Sequence, residues 1–230
     1  MTLYEKYLNG YKFAPIENPV YYNGKQVVLL VVPGHGIRLY TPGKRSPDGS
    51  LIEGEWAREM TARMIPDLRA LGFDARCLVP EDEDIHISVR AQRANRLMAE
   101  ERDKAFFYLA MHINAAPGGD YHWVPGATGF TCWAARDASA FSCNWAKECV
   151  NTAREMGLLG NRYTPEEGFH RENWTEVHDT LMPAILAENL FMTDPNETKF
   201  LLSEEGKEKI ETLHYIALCK VFGIPYVVKR

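Results

Sequence analysis

Residues 27–32, VVLLVV, are apolar at every position and stop at Pro33-Gly34. A run of that kind, closed by turn residues, predicts a central strand over 26–32 that is buried on both faces. The period then changes. Ala57, Met60, Met64, Leu68 and Leu71 recur at steps of three and four, which predicts an amphipathic helix over 54–71 closed by Gly72. FDARCLVP reads as a second strand, and Ile87, Ala91, Ala94 and Leu97–Met98 mark a second helix. A third strand is expected at 105–112 (AFFYLAMH), a fourth at 130–134 (FTCWA), a helix at 137–156, a further strand at 183–192 (PAILAENLFM) and a last helix at 203–222. The stretch 158–180 is polar and aromatic without a period and reads as a long loop. Strands alternating with helices predict an α/β fold, a single domain with a mostly parallel, mixed central sheet flanked by helices. Residues 1–24, rich in Tyr, Asn and Pro and weakly periodic, read as an N-terminal extension packed on a domain spanning 25–230.

Composition narrows the classes. In 230 residues, 46% of them apolar, there is enough material for a real core. The net charge of −5 gives no general attraction to nucleic acid or anionic lipid, so neither is an expected partner. The longest apolar run is too short to span a bilayer, and membrane insertion is not expected. Cys77, Cys132, Cys143, Cys149 and Cys219 make an odd count with no CxxC pair, which suits buried free thiols made in a reducing compartment. The opening MTLYEKYLNGYKFAPIENPV lacks an apolar core and carries Glu5 where a secretion signal would be basic, so a protein cytoplasmic as synthesised is expected.

The chemistry collects at strand ends. In parallel sheets, sites form in the crevice at the carboxyl ends of the strands. The first strand ends at His35, in PGHG; the third at His112, in MHINAA; the late strand at Glu188, in ILAENLF. A Gly/Pro/Ser-rich loop returns from His35 to Glu53, with Glu55 close behind, at the start of the first helix. Two imidazoles and a carboxylate around an open position form a familiar zinc set for hydrolysis, and such a site needs a further carboxylate to move protons. A lone carboxylate in an apolar strand is costly unless it is used, which makes Glu188 the most marked of the four. Burial would also raise its pKa towards the range of a working acid–base group.

VVLLVVPGHG, the glutamate with its helix, AMHINAA and MPAILAENLFMTDPNE together resemble, in order, the signature blocks of the zinc-dependent N-acetylmuramoyl-L-alanine amidases. The resemblance covers 26 to about 222. It implies cleavage of the amide between N-acetylmuramic acid and L-alanine in peptidoglycan, with one zinc per chain on His35, Glu53 and His112 and with Glu188 as the catalytic glutamate. Glu53 rather than Glu55 follows from the family's spacing back from Gly72. The chain departs from the pattern at Val32, where the family usually has aspartate, at Ala110, where it has a small polar residue, and at Ala57, where it has Asn or Thr. The first two are positions suited to steadying ligands or water. A leaderless enzyme of this kind resembles a phage lysis enzyme, acting on the cell wall after release, and a secreted enzyme without its leader would read the same. Two other readings stay open: a zinc peptidase cutting within the stem peptide, and a wall-binding or regulatory protein of the same fold with weak turnover. His122, Trp123, His170, Trp174, His178 and Thr180 are expected along a substrate groove, and His86 and His214 in structural or solvated helical positions.

Overall fold

The computed structural model describes residues 1–119 and 121–226; the last four positions of the expected domain, 227–230, lie outside the described residues. The chain runs α1 (Leu3–Leu8), β1 (Tyr21–Tyr22), β2 (Lys25–Pro33), α2 (Glu53–Ala70), β3 (Asp74–Cys77), α3 (Ile87–Glu100), β4 (Lys104–Asn114) and β5 (Thr131–Ala134). It continues through α4 (Ala140–Glu155), β6 (His170–Arg171), α5 (Thr175–His178), β7 (Ala184–Phe191), α6 (Pro195–Leu202) and α7 (Glu204–Phe222). One mixed sheet results, ordered β1-β2-β4-β7-β5-β6, with β3 also on β2.

Its centre is parallel, as the apolar runs imply. β2, β4 and β7 lie side by side in parallel, and β3 joins β2 in the same sense. Alternation along each strand divides the core in two. Val27, Leu29 and Val31 face one cluster, together with Leu109, Met111, Ile185 and the apolar side of α2. Val28, Leu30 and Val32 face the other, with Tyr108, Ala110, Leu186 and Val177 of α5. A sheet covered on both sides leaves its strand ends as the natural opening, and the chemistry sits there.

The differences from the sequence reading are local. β1 forms a hairpin with β2 through Asn23-Gly24, both at positive φ (49° and 76°), and α1 packs on α2, so elements of the first 24 residues join the sheet and the helical layer. Asn-Gly is the usual two-residue hairpin turn, because both positions must adopt the left-handed region. β5 runs antiparallel to β7, a direction that an apolar pattern does not encode. The expected loop 158–180 contains β6 and α5, each too short to show a period. α6, which was not anticipated, starts at Pro195 with the Asp194 side chain accepting from the amides of Asn196 and Glu197, a standard cap-and-proline start.

Candidate metal centre and active-site cleft

His35 leaves the end of β2 in a left-handed conformation, φ 53°, uncommon for a residue with a Cβ. Two contacts hold it there. Arg58, fully buried on α2, donates from Nη1 to the carbonyls of His35 and Gly54, 2.8 Å each, and from Nε and Nη2 to the carbonyl of Glu81. Gly54 lies so close to the His35–Gly36 backbone that an added Cβ would stand 1.9 Å from the Gly36 carbonyl oxygen. The start of α2 is thereby pressed against the His35 turn, and Glu53 is set beside it. Gly34 does the same for the second histidine: a Cβ there would lie 2.5 Å from the His112 ring. Only glycine lets β2 pass while His112 occupies that space.

The result is a close trio. Ligand atoms of His35, Glu53 and His112 all lie within 4.8 Å of one another. The Glu53 carboxylate, 2% exposed, divides itself, Oε1 at 3.0 Å from His112 Nδ1 and Oε2 at 3.6 Å from His35 Nε2. The Ile113 amide also donates to Oε1. Glu55 stands apart, accepting from the Arg38 amide. Two residues along a helix point to different faces, and only Glu53 faces the histidines.

Electrostatics fits a cation. Burial alone would depress the His112 imidazole, but its bonds to Glu176 and Glu53 overcome this and hold its pKa up at about 10. Burial likewise pushes His35 down to about 4, with Glu53 opposing. Burial would raise Glu53, yet the two imidazoles bring it below its ordinary value. A buried anion with two imidazoles turned towards it is a group that could hold a metal ion. The donor set of two nitrogens and a carboxylate is that of zinc.

Glu188 is the register partner of His112 across β4 and β7, on the same face of the sheet. Burial pushes its carboxyl up to about 7, with the nearby His112 charge opposing. Its Oε2 is buried without a hydrogen-bond partner among the described residues. The two groups share a cleft of about 260 Å³ with His35, Glu53, Lys44, Arg162, Trp133 and Trp174.

Behind the trio lies a network that sequence reasoning missed. Glu176, on α5 and 4% exposed, reaches His112 Nε2 at 3.2 Å, accepts from the Tyr108 hydroxyl at 2.9 Å and pairs with Arg90 at 3.5 Å. Arg90, on α3 and 1% exposed, also donates to the Pro33 carbonyl just before the His35 turn. It further pairs with Asp84 at 3.0 Å, and Asp84 stands 3.9 Å from His35 Nδ1. One buried guanidinium therefore joins the outer carboxylates of both histidines. On the far side, His214 Nε2 donates to Asn189 Oδ1, and Asn189 Nδ2 donates to the His112 carbonyl. His214 is a buried positioning residue, and His86 caps α3 from the surface.

The expected groove residues divide. Trp174 lines the cleft, and His170 stacks on the cleft residue Trp133 at 4.2 Å. Thr180 is buried, donating to the Glu176 carbonyl, and His178 pairs with Asp179 at the surface. Among the described residues, His122, Trp123, His178 and Thr180 do not line this cleft. These four came from loops judged by composition, which says nothing of which way a loop folds. Cys132, Cys149 and Cys219 are buried free thiols, while Cys77 and Cys143 are partly buried. Among the described residues, no helix is long and apolar enough to cross a membrane.

Known proteins resemble the chain in sequence and in fold. The family model described as N-acetylmuramoyl-L-alanine amidase matches residues 29–220. An endolysin of Bacillus phage SPP1 is 21% identical over 196 residues, 83% of this chain and 64% of the relative, so the chain spans under two thirds of that protein. In fold, the chain is similar to N-acetylmuramoyl-L-alanine amidase from Clostridium difficile 630, with TM-score 0.70 and 21% identity over 87% of this chain and 98% of that one. It is equally similar to the N-acetylmuramyl-L-alanine amidase of Mycobacterium smegmatis, with TM-score 0.71 and 19% identity over 88% and 99%.

Proposed function

Because the chain belongs to the N-acetylmuramoyl-L-alanine amidase family, we propose that it hydrolyses the amide between N-acetylmuramic acid and L-alanine in peptidoglycan, with one zinc ion held by His35, Glu53 and His112. The observation that carries this reading is the convergence of the buried trio with Glu188, whose unpartnered oxygen shares the same small cleft. When bound, zinc supplies Lewis-acid polarisation of the scissile carbonyl and acidifies water at the site. The protein's own groups do the rest. Glu188, with a carboxyl poised at about 7, accepts a proton from the attacking water and returns it to the leaving amine of L-alanine. Trp133 and Trp174 line the cleft in which that exchange takes place. Arg58 and Gly54 fix the His35 turn, so that the trio is set before substrate arrives.

The bond cleaved is tested by mass analysis of purified peptidoglycan digested with the zinc-loaded protein. The expected products are glycan free of peptide and peptides with a new amino-terminal alanine. Fragments cut within the stem peptide would replace this reading with that of a peptidase, and unaltered muropeptides would favour a binding role.

The Glu176 network has its own expected outcome. Glu176→Gln keeps the shape but removes the charge that steadies His112 and neutralises Arg90. Partners of this kind are worth roughly 10–100-fold in metal affinity. Zinc competition with a chromophoric chelator should show a loss in that range with the fold retained by circular dichroism. Native zinc affinity in Glu176→Gln would show that His112 is oriented without it.

A further inference from the structure

We infer that Lys44 and Arg162 form a carboxylate-recognition subsite that takes the peptide side of the substrate, selecting stems that carry free carboxylates. This rests on the amidase reading above.

Both cations line the cleft that holds His35, Glu53, His112 and Glu188. They come from separate loops, Lys44 from the loop after β2 and Arg162 from the loop between α4 and β6. Both are exposed, and neither makes an ion pair or a side-chain hydrogen bond among the described residues. Their charges are therefore free to meet a ligand at the cleft. Arg63, Arg76, Arg136 and Arg171 are all paired with carboxylates, and Arg90 is consumed by Glu176 and Asp84.

The cleft also continues past Lys44. A hollow of about 360 Å³ shares Lys44, Ala115 and Met192 with it and adds Arg45 and the exposed Tyr121. An extended chain leaving the scissile amide thus has a path with a cation at the start and a second just beyond.

The chemistry of that path points to an anion. With zinc bound, the ion offsets the charges of Glu53 and Glu188, and Lys44 and Arg162 leave the rim of the cleft positive, which favours an acidic ligand there. Lys44 and Arg162 already lower the proton affinity of Glu188, so their fields reach the reacting region. A guanidinium and an ammonium held without partners beside an apolar indole wall are suited to charge-assisted bonds with carboxylate oxygens. The stem of peptidoglycan supplies such oxygens within a few bonds of the L-alanine nitrogen, as the α-carboxylate of the residue after it. The same cations could instead steady charge developing on the scissile carbonyl oxygen, and the two roles respond differently to a change in the substrate.

The experiment pairs a change in the enzyme with a change in the substrate. N-acetylmuramoyl-L-alanyl-D-glutamate is offered to the zinc-loaded native protein and to Lys44→Gln and Arg162→Gln, once with the α-carboxyl of glutamate free and once with it amidated. Charged hydrogen bonds predict that native kcat/KM favours the free acid by ~10–100-fold. Each variant should lose ~10-fold on the free acid, carried in KM, and under ~2-fold on the amide. Equal losses on both substrates, or a native enzyme indifferent to amidation, would overturn the subsite and favour the carbonyl role. Where neither muramoyl peptide is turned over, the amidase reading fails and calorimetric binding of L-alanyl-D-glutamate and its α-amide decides. Preference for the acid that is lost in both variants upholds the subsite, and equal binding of acid and amide removes it.

Discussion

Glu188→Gln is expected to bind zinc as the native protein does and to lose roughly 10²–10⁴-fold in kcat, the usual worth of a positioned acid–base group. Glutamine keeps the size of the side chain and most of its hydrogen-bonding capacity but cannot accept a proton at neutral pH. The site favours a clean result. Glu188 contributes no atom to the trio, and its Oε2 has no hydrogen bond to lose among the described residues. Removing the charge should also be tolerated structurally, since burial already pushes this carboxyl up to about 7 and an uncharged group there is close to what the fold accommodates. Zinc stoichiometry by elemental analysis, read beside kcat, separates the outcomes. Loss of zinc would make Glu188 a ligand. Retained zinc with near-native turnover would take it out of the mechanism.

Glu53→Ala is expected to abolish zinc binding at micromolar metal and with it all detectable turnover, whereas Glu55→Ala should leave both intact. Glu53 stands between the two imidazoles at 3.0 and 3.6 Å, so its removal takes the only anionic donor from the trio and leaves His112 facing a void. Glu55 accepts one bond from the Arg38 amide at the surface, and its loss costs no more than a first-turn acid, about 0.3–1 kcal/mol. His35→Ala and His112→Ala should match Glu53→Ala. The fold should persist in all three, because the large two-sided core does not depend on the trio. Zinc retained by Glu53→Ala and lost by Glu55→Ala would move the ligand by two residues and reorient the start of α2.

Much of this was legible before the fold was known, and the reason is physical. The central residues of β2, β4 and β7 are buried on both faces and apolar, so a polar residue after such a run stands out. His112 and Glu188 lie within β4 and β7, which run on to Asn114 and Phe191, and His35 lies just beyond β2; the structure brings all three to one cleft. Glu53 was half legible: a glutamate at a helix start is common, and its burial against two imidazoles arises only when Gly54 seats α2 on the Gly36 carbonyl. Arg58, Arg90 and Glu176 were not legible. Charged residues on amphipathic helices read as solvated, and nothing in their spacing shows that the loop 81–85 and α5 fold over them. Glu176 in particular sits on a helix of four residues inside an aperiodic stretch. The Asn23-Gly24 turn and the Asp194-Pro195 helix start were different, since both carry local signals that the chain states openly.

Val32 and Ala110 mark where the chain departs from the family pattern it resembles, and they are register partners on β2 and β4 within the same core cluster as Val177 of α5. The face they line is the one from which Glu176 reaches His112. With an apolar pair at these two positions, the carboxylate on the His112 ring is delivered from the covering helix, steadied by the Tyr108 hydroxyl of β4.

Anomalous diffraction at the zinc edge from crystals of the zinc-loaded protein tests the central claim most directly. The account predicts one strong peak per chain, within bonding distance of His35, Glu53 and His112 and facing Glu188 across the cleft. A peak coordinated by Glu188 or Glu55 in place of Glu53, or no peak at the trio in a protein that cleaves peptidoglycan, would contradict it.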